Sequence, residues 1–156
     1  RDYDGGVLTG SVYRLPGWMN SGDLTKRHRA TDGHGNAWLS RDPAVWEDNE
    51  ADPFTFEADA FKVFGLAGVL SLLGRPAAGL PSDLPVLLAV GGDDSFGGPR
   101  SVERLAKAYR ERSGLTDVRT VVYPDARHEI LNETNKVSVI ADIVDWMDAR
   151  LPSTTP

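Results

Sequence analysis

The chain has 156 residues, of which 40% are apolar and 26% charged, the composition of a globular domain long enough to build its own core. Lys and Arg number 17 against 23 Asp and Glu, a formal charge of -6, which argues against nucleic-acid binding but not against a neutral, lipid-like substrate. The absence of cysteine excludes disulfides, a thiol nucleophile and a thiolate zinc site, and it leaves the redox compartment open.

The opening Arg1-Asp2-Tyr3-Asp4 is followed by no apolar stretch of signal-peptide type, and the expected location is cytoplasmic. Val7-Leu8-Thr9 reads as a short strand between Gly5-Gly6 and Gly10-Ser11. A strand so close to the start, with no initiator Met, suggests a fragment or a processed product. Residues 12–80 differ in texture, holding Trp18, Trp38 and Trp46 and also Phe54, Phe56, Phe61 and Phe64 among many Gly, Pro and Asp. They predict loops and short helices around one longer helix near Glu57 to Leu73. Its apolar run, Val63 to Leu73, is too short to span a bilayer. Packing onto the body is the default expected of such a stripe, with an acyl-chain pocket or membrane-facing lid as the alternative.

From Pro81 the pattern tightens. Val86-Leu87-Leu88-Ala89-Val90, ending at Gly91-Gly92, is the run expected of a strand buried on both faces of a parallel sheet. A helix follows from Pro99 to Ser113, with Val102, Leu105, Ala106 and Tyr109 on one face, Pro99 in its first turn and Gly114 at its end. Val118 to Tyr123 is β-branched and partly polar, a strand nearer the sheet edge. A last helix from Asn135 to Leu151 carries Val137, Ile140, Val144 and Met147 on one stripe, before a frayed tail at residues 152–156. Strand, helix, strand, helix implies a right-handed parallel βαβ unit, whose ligands sit beyond the carboxyl ends of the strands.

Two residues fall at those ends. Asp94 lies four residues past Val90 and His128 five past Tyr123. A hydrolase nucleophile needs an imidazole to take its proton and a carboxylate to orient that imidazole. Acid before histidine, on successive strand ends, is the order in which these two follow the serine of an α/β-hydrolase triad. Taken singly, an Asp in a glycine-rich loop is more often a turn former or cap, and a loop His a solvated side chain. Their joint placement favours the acid–base reading.

The stretch Leu84-Pro85-Val86-Leu87-Leu88-Ala89-Val90-Gly91-Gly92-Asp93-Asp94-Ser95-Phe96-Gly97-Gly98 resembles the acid-bearing segment of the α/β-hydrolases that include monoacylglycerol lipases and bacterial lysophospholipases. There a Gly-x-x-Asp-Pro-Val-Gly-Gly pattern is common, so the resemblance assigns the acid to Asp94 rather than Asp93, with Ser95 and Phe96 replacing Pro and Val. Tyr123-Pro124-Asp125-Ala126-Arg127-His128-Glu129-Ile130-Leu131-Asn132-Glu133-Thr134-Asn135 resembles the family's histidine segment and assigns the base to His128. More loosely, Trp38-Leu39-Ser40-Arg41-Asp42 and Asp52-Pro53 resemble its cap region, and Asp2 to Gly10 the preceding strand.

The resemblance implies the C-terminal part of an α/β-hydrolase parallel sheet with an inserted helical cap. Residues 1–11 are the first core strand, 12–80 the cap or lid, 81–151 the C-terminal core and 152–156 the tail. No Gly-x-Ser-x-Gly elbow occurs: Ser95 follows Asp93-Asp94, and Ser11 is followed by Val12-Tyr13. The implied activity is therefore carboxylic ester hydrolysis, of lysophospholipase or monoacylglycerol lipase type, through a Ser-Asp-His triad whose serine lies outside this chain.

The expected partners are a small lipid-like ester and the N-terminal half of the hydrolase, as a removed segment or a separate chain, with transient membrane contact and no nucleic acid. No cofactor or metal is expected. His28 and His34 read as solvent-exposed loop residues, and Glu129 as a structural residue. The acidic pair inside the glycine-rich loop argues against a phosphate-binding loop there. Two rivals remain: a peptidase, thioesterase or epoxide hydrolase using the same acid and base, or a non-catalytic fragment or binding module.

Overall fold

A computed structural model of the chain describes residues 3–13, 21–28, 30–31, 35–55, 60–80 and 83–150. Strands β1 (Gly6–Thr9), β2 (Val86–Gly91) and β3 (Val118–Tyr123) form a parallel sheet in that order. Among the described residues, α1 (Ser21–Lys26), α2 (Pro43–Ala51) and α3 (Ala60–Leu72) lie between β1 and β2. α4 (Gly98–Ala108) joins β2 to β3, and α5 (Lys136–Asp148) follows β3.

The apolar run of β2 makes it the centre of the sheet, and all its residues are buried. Val86, Leu88 and Val90 pack with Val102, Leu105 and Ala106 of α4, whereas Ala89 packs with Tyr123, Ala126, Ile130 and Val139 of α5. Alternate strand residues point to opposite faces, so α4 and α5 cover opposite sides of the sheet. Pro99 lies in the first turn of α4. The helix continues into one π-turn over Tyr109–Ser113, closed by Gly114 at φ 79°.

The apolar stripes of two helices are largely exposed. On α5 the structure buries Val139 and Trp146, with Ile143 packed against the core. Val137, Ile140, Val144 and Met147 are all exposed. This helix is apolar on two sides, so periodicity alone could not say which faces the sheet. The helix expected over Glu57 to Leu73 is α3, broken at Gly65 by a backbone (φ 62°, ψ 179°) that glycine tolerates and other residues avoid. Of its apolar stripe Val69 is buried, while Phe61, Val63, Phe64, Leu66 and Leu70 are exposed, so the default packing role does not hold for them. Among the described residues, no helix is long and apolar enough to cross a membrane.

The glycines ending β2 are required for space. Neither Gly91 nor Gly92 adopts a positive φ. A Cβ on Gly91 would stand 2.1 Å from the Arg127 carbonyl oxygen, and one on Gly92 would stand 2.2 Å from that of Pro124. Bare backbone lets the loop after β3 lie directly on the end of β2, which brings the two loops together. Gly91→Ala must push backbone aside, with an expected loss on the order of 3 kcal/mol and a Tm lower by roughly 6–12 °C. Thermal unfolding of that variant checks this, and an unchanged Tm contradicts it.

Candidate active site

The loops after β2 and β3 meet at the carboxyl edge of the sheet. Gly92 N–H donates to the Tyr123 carbonyl (2.7 Å) and Asp93 N–H to that of Ala126 (3.0 Å). Across this seam His128 Nδ1 lies 3.2 Å from Asp94 Oδ2. The other carboxylate oxygen, Oδ1, accepts from the Phe96 amide at 2.7 Å. Both oxygens are therefore held, and the Asp94 side chain is 0% exposed while that of His128 is 21% exposed.

A carboxylate only accepts hydrogen bonds, so the proton in this pair belongs on Nδ1 and the free lone pair on Nε2. No described residue hydrogen-bonds Nε2. The imidazole is walled by Trp38, 5.1 Å away between ring centroids, and by Phe96 at 5.3 Å, edge to face. Gly10, at φ 55° just beyond β1, completes the enclosure, since a Cβ there would come within 3.0 Å of His128 Cε1. A fixed imidazole with one nitrogen on a buried carboxylate and the other open is equipped to accept and return a proton.

The neighbouring Asp93 is placed otherwise, with its carboxylate 2.6 Å from Arg27 of the segment after α1. Ser95 is buried and donates its hydroxyl to the Leu24 carbonyl (2.9 Å). His28 differs from its expected place in solvent: it is buried, with Nε2 3.2 Å from the Asp93 carbonyl oxygen. His34 lies outside the described residues. Among the described residues, no cluster of His, Cys, Asp and Glu is arranged to hold a metal ion.

The sequence reading missed Glu133. The Glu129 side chain accepts from the Asn132 side chain at 2.8 Å. Glu133 is fully buried and accepts from the Arg127 amide (2.8 Å), the Arg41 amide (3.1 Å), Arg41 Nε (2.8 Å) and the Thr134 amide (3.0 Å). Burial pushes its pKa up, but hydrogen bonds led by the Arg127 amide outweigh this and hold it below the ordinary 4.5. The same seam is sewn by His128 N–H to the Trp38 carbonyl (3.3 Å) and Glu129 N–H to that of Leu39 (2.8 Å). Arg127, also buried, donates to the carbonyls of Ala37 and Ser40. The segment 37–42 and the histidine loop thus form one hydrogen-bonded unit.

Residues 3–135 match the profile of the family described as serine aminopeptidase, S33. Among solved structures, the chain is similar to a carboxyl esterase from Bacillus coagulans, at 20% identity and a TM-score of 0.68, covering 94% of this chain and 57% of that one. It is similar to a monoacylglycerol lipase from Paleococcus ferrophilus at 22% identity and a TM-score of 0.64, covering 94% and 59%. A soluble variant of the monoglyceride lipase of Saccharomyces cerevisiae gives 18% identity and a TM-score of 0.63, covering 97% and 55%. The chain spans little more than half the length of each. The profile match covers most of the chain, and the fold is that of these hydrolases over their matching part. The chain belongs to the S33 family of α/β-hydrolases.

Proposed function

We propose that this chain supplies the acid and the base of a carboxylic ester hydrolase, Asp94 and His128, and that the nucleophilic serine lies outside it. The observation that carries the reading is the 3.2 Å contact of His128 Nδ1 with the buried Asp94 carboxylate, at the edge of a parallel sheet, with Nε2 left open. In the proposed reaction Nε2 takes the proton of the serine hydroxyl as its oxygen attacks the ester carbonyl. The imidazolium, stabilised by Asp94, returns that proton to the departing alcohol. Water then repeats the cycle on the acyl-enzyme, releasing the acid and restoring the serine.

The unit that completes the site is the N-terminal half of the hydrolase, on the same polypeptide or a separate chain. Two surfaces favour it. Among the described residues β1 has hydrogen-bonding partners only on its β2 side, and α5 exposes Val137, Ile140, Val144 and Met147. An open strand edge beside an apolar face is an aggregation hazard unless covered.

Residues 12–80 serve as the cap. Their contacts with both catalytic loops, through Arg27, Leu24, Trp38 and Leu39, support this. The exposed Phe61, Phe64, Leu66 and Leu70 suit an acyl chain or brief contact with a bilayer surface. A monoacylglycerol or lysophospholipid is the substrate class this reading favours.

A peptidase is the second reading, favoured by the family's description. A panel of p-nitrophenyl esters, monoacylglycerol, lysophospholipid and aminoacyl nitroanilides, offered to the full-length protein, separates the two. Ester turnover that falls about 10⁴-fold in Asp94→Asn is expected. Turnover of nitroanilides alone would overturn the ester assignment.

A further inference from the structure

A cavity of about 790 Å³ opens beside the acid-bearing loop, within the size range of small-molecule sites. Its walls include Lys26 and Arg27 from the end of α1 and the residue after it, and Arg100 and Arg104 from α4. His128, Trp38 and Phe96 do not line it, so it is not the space over the imidazole.

Four cations around one cavity are unexpected in a chain of formal charge -6. Arg100 and Arg104 stand one turn apart on the same helix, a like-charge spacing that destabilises it. Counter-charge is scarce. Asp93 is the partner of Arg27, and Asp94 is buried against His128. Among the described residues, Lys26, Arg100 and Arg104 form no ion pair. The start of α4 also faces this space through Gly98 and Pro99, with no side-chain cap and no acidic residue in its first turn. Its positive end therefore adds to the field of the side chains.

We propose that this cavity is a phosphate-binding site. A planar carboxylate is satisfied by one guanidinium fork, whereas a tetrahedral phosphate presents oxygens in several directions. Donors arriving from two different elements, α1 and α4, suit the latter. The acidic pair of the glycine-rich loop does not oppose this. Asp93 is neutralised by Arg27; Asp94 also lines the cavity, but its carboxylate is fully buried with its oxygens taken by His128 Nδ1 and the Phe96 amide. The anion is held by side-chain cations rather than by loop amides. The phosphate comes either from a small phosphate ester or from the head group of a phosphate-bearing lipid, and the volume accommodates more than the phosphate itself.

The test is calorimetric titration of the full-length protein with His128→Gln in every sample, so that an ester probe is bound and not hydrolysed. The probes are inorganic phosphate, glycerol 3-phosphate and monomeric lysophosphatidate. The variant Arg100→Gln/Arg104→Gln changes two exposed side chains. The control Arg75→Gln/Lys136→Gln removes the same charge elsewhere. Saturable binding that weakens about tenfold or more in the first variant and not in the control is expected. Binding of the small anions indicates that phosphate alone suffices, and binding of lysophosphatidate alone assigns the head group; either sustains the site. No binding of any probe to the protein with Arg100 and Arg104 in place overturns it, as does equal weakening in both variants or displacement of inorganic phosphate by an uncharged monoacylglycerol.

Discussion

Replacing His128 with glutamine is expected to lower kcat/KM for ester hydrolysis by about 10⁴-fold or more, with the fold intact. Glutamine can still offer an N–H towards Asp94 Oδ2, now 3.2 Å from Nδ1, and it fills much of the space between Trp38 and Phe96. It has no group that accepts and returns a proton near neutral pH. Loss of the base then acts on the transition state and not on substrate binding, so kcat falls and KM changes little. Because glutamine keeps a donor to Asp94 and much of the packing against Trp38 and Phe96, little loss of stability is expected. The checks are steady-state kinetics on a p-nitrophenyl ester and a thermal melt of the same sample. A folded variant with full turnover removes His128 from the mechanism.

Glu133→Ala is expected to cost about 3–5 kcal/mol, the range for removing one partner of a buried ion pair, and roughly 6–20 °C in Tm. The substitution leaves the Arg41 guanidinium without its carboxylate and the Arg127 amide, in a buried residue, without an acceptor. Arg41 keeps its bond to the Asn135 side chain (2.9 Å), which holds it in place without replacing the charge. Since Arg127 precedes His128, looseness here also reaches the imidazole, and activity is expected to fall more than the unfolded fraction explains.

The pH dependence follows from the depressed pKa of Glu133. A carboxylate whose folded pKa lies below its ordinary 4.5 adds stability that is fully present above that value. The contribution is lost as pH falls through the lower folded value. The difference in urea midpoint between the unaltered protein and Glu133→Gln should therefore shrink on acidification from pH 6. A difference that stays constant through that range places the stabilisation elsewhere.

The parts of this fold that local pattern governs were legible in the sequence. β2 declared itself by an unbroken apolar run, β3 by β-branched residues and α4 by Pro99 and Gly114, all local signals. What distant contacts decide was not. Glu133 meets Arg41 across 92 residues, and only the folded chain shows which of the nearby acids is buried. His28 sits among Lys26, Arg27 and Arg29 in sequence, yet it packs under the acid loop. Gly91 and Gly92 mark the end of the β2 run in the sequence, whereas the structure needs them because another backbone lies within a Cβ's reach. The α5 stripe was found, but periodicity could not say which side of the helix meets the sheet, because the helix offers apolar residues in two directions. The placement of Asp94 and His128 at neighbouring strand ends was legible from the strand pattern, and the choice of Asp94 over Asp93 from the family resemblance, whereas the buried carboxylate, the aromatic walls and Gly10 required coordinates.

In the proposed mechanism Asp94 and His128 serve a serine outside this chain. Fluorophosphonate labelling of the full-length protein, followed by mapping of the modified residue by mass spectrometry, tests it most directly. The expected result is one modified serine outside residues 1–156, in a Gly-x-Ser-x-Gly context, with labelling lost in His128→Gln. Modification of a serine within these residues, or no labelling of an otherwise folded protein, would contradict it.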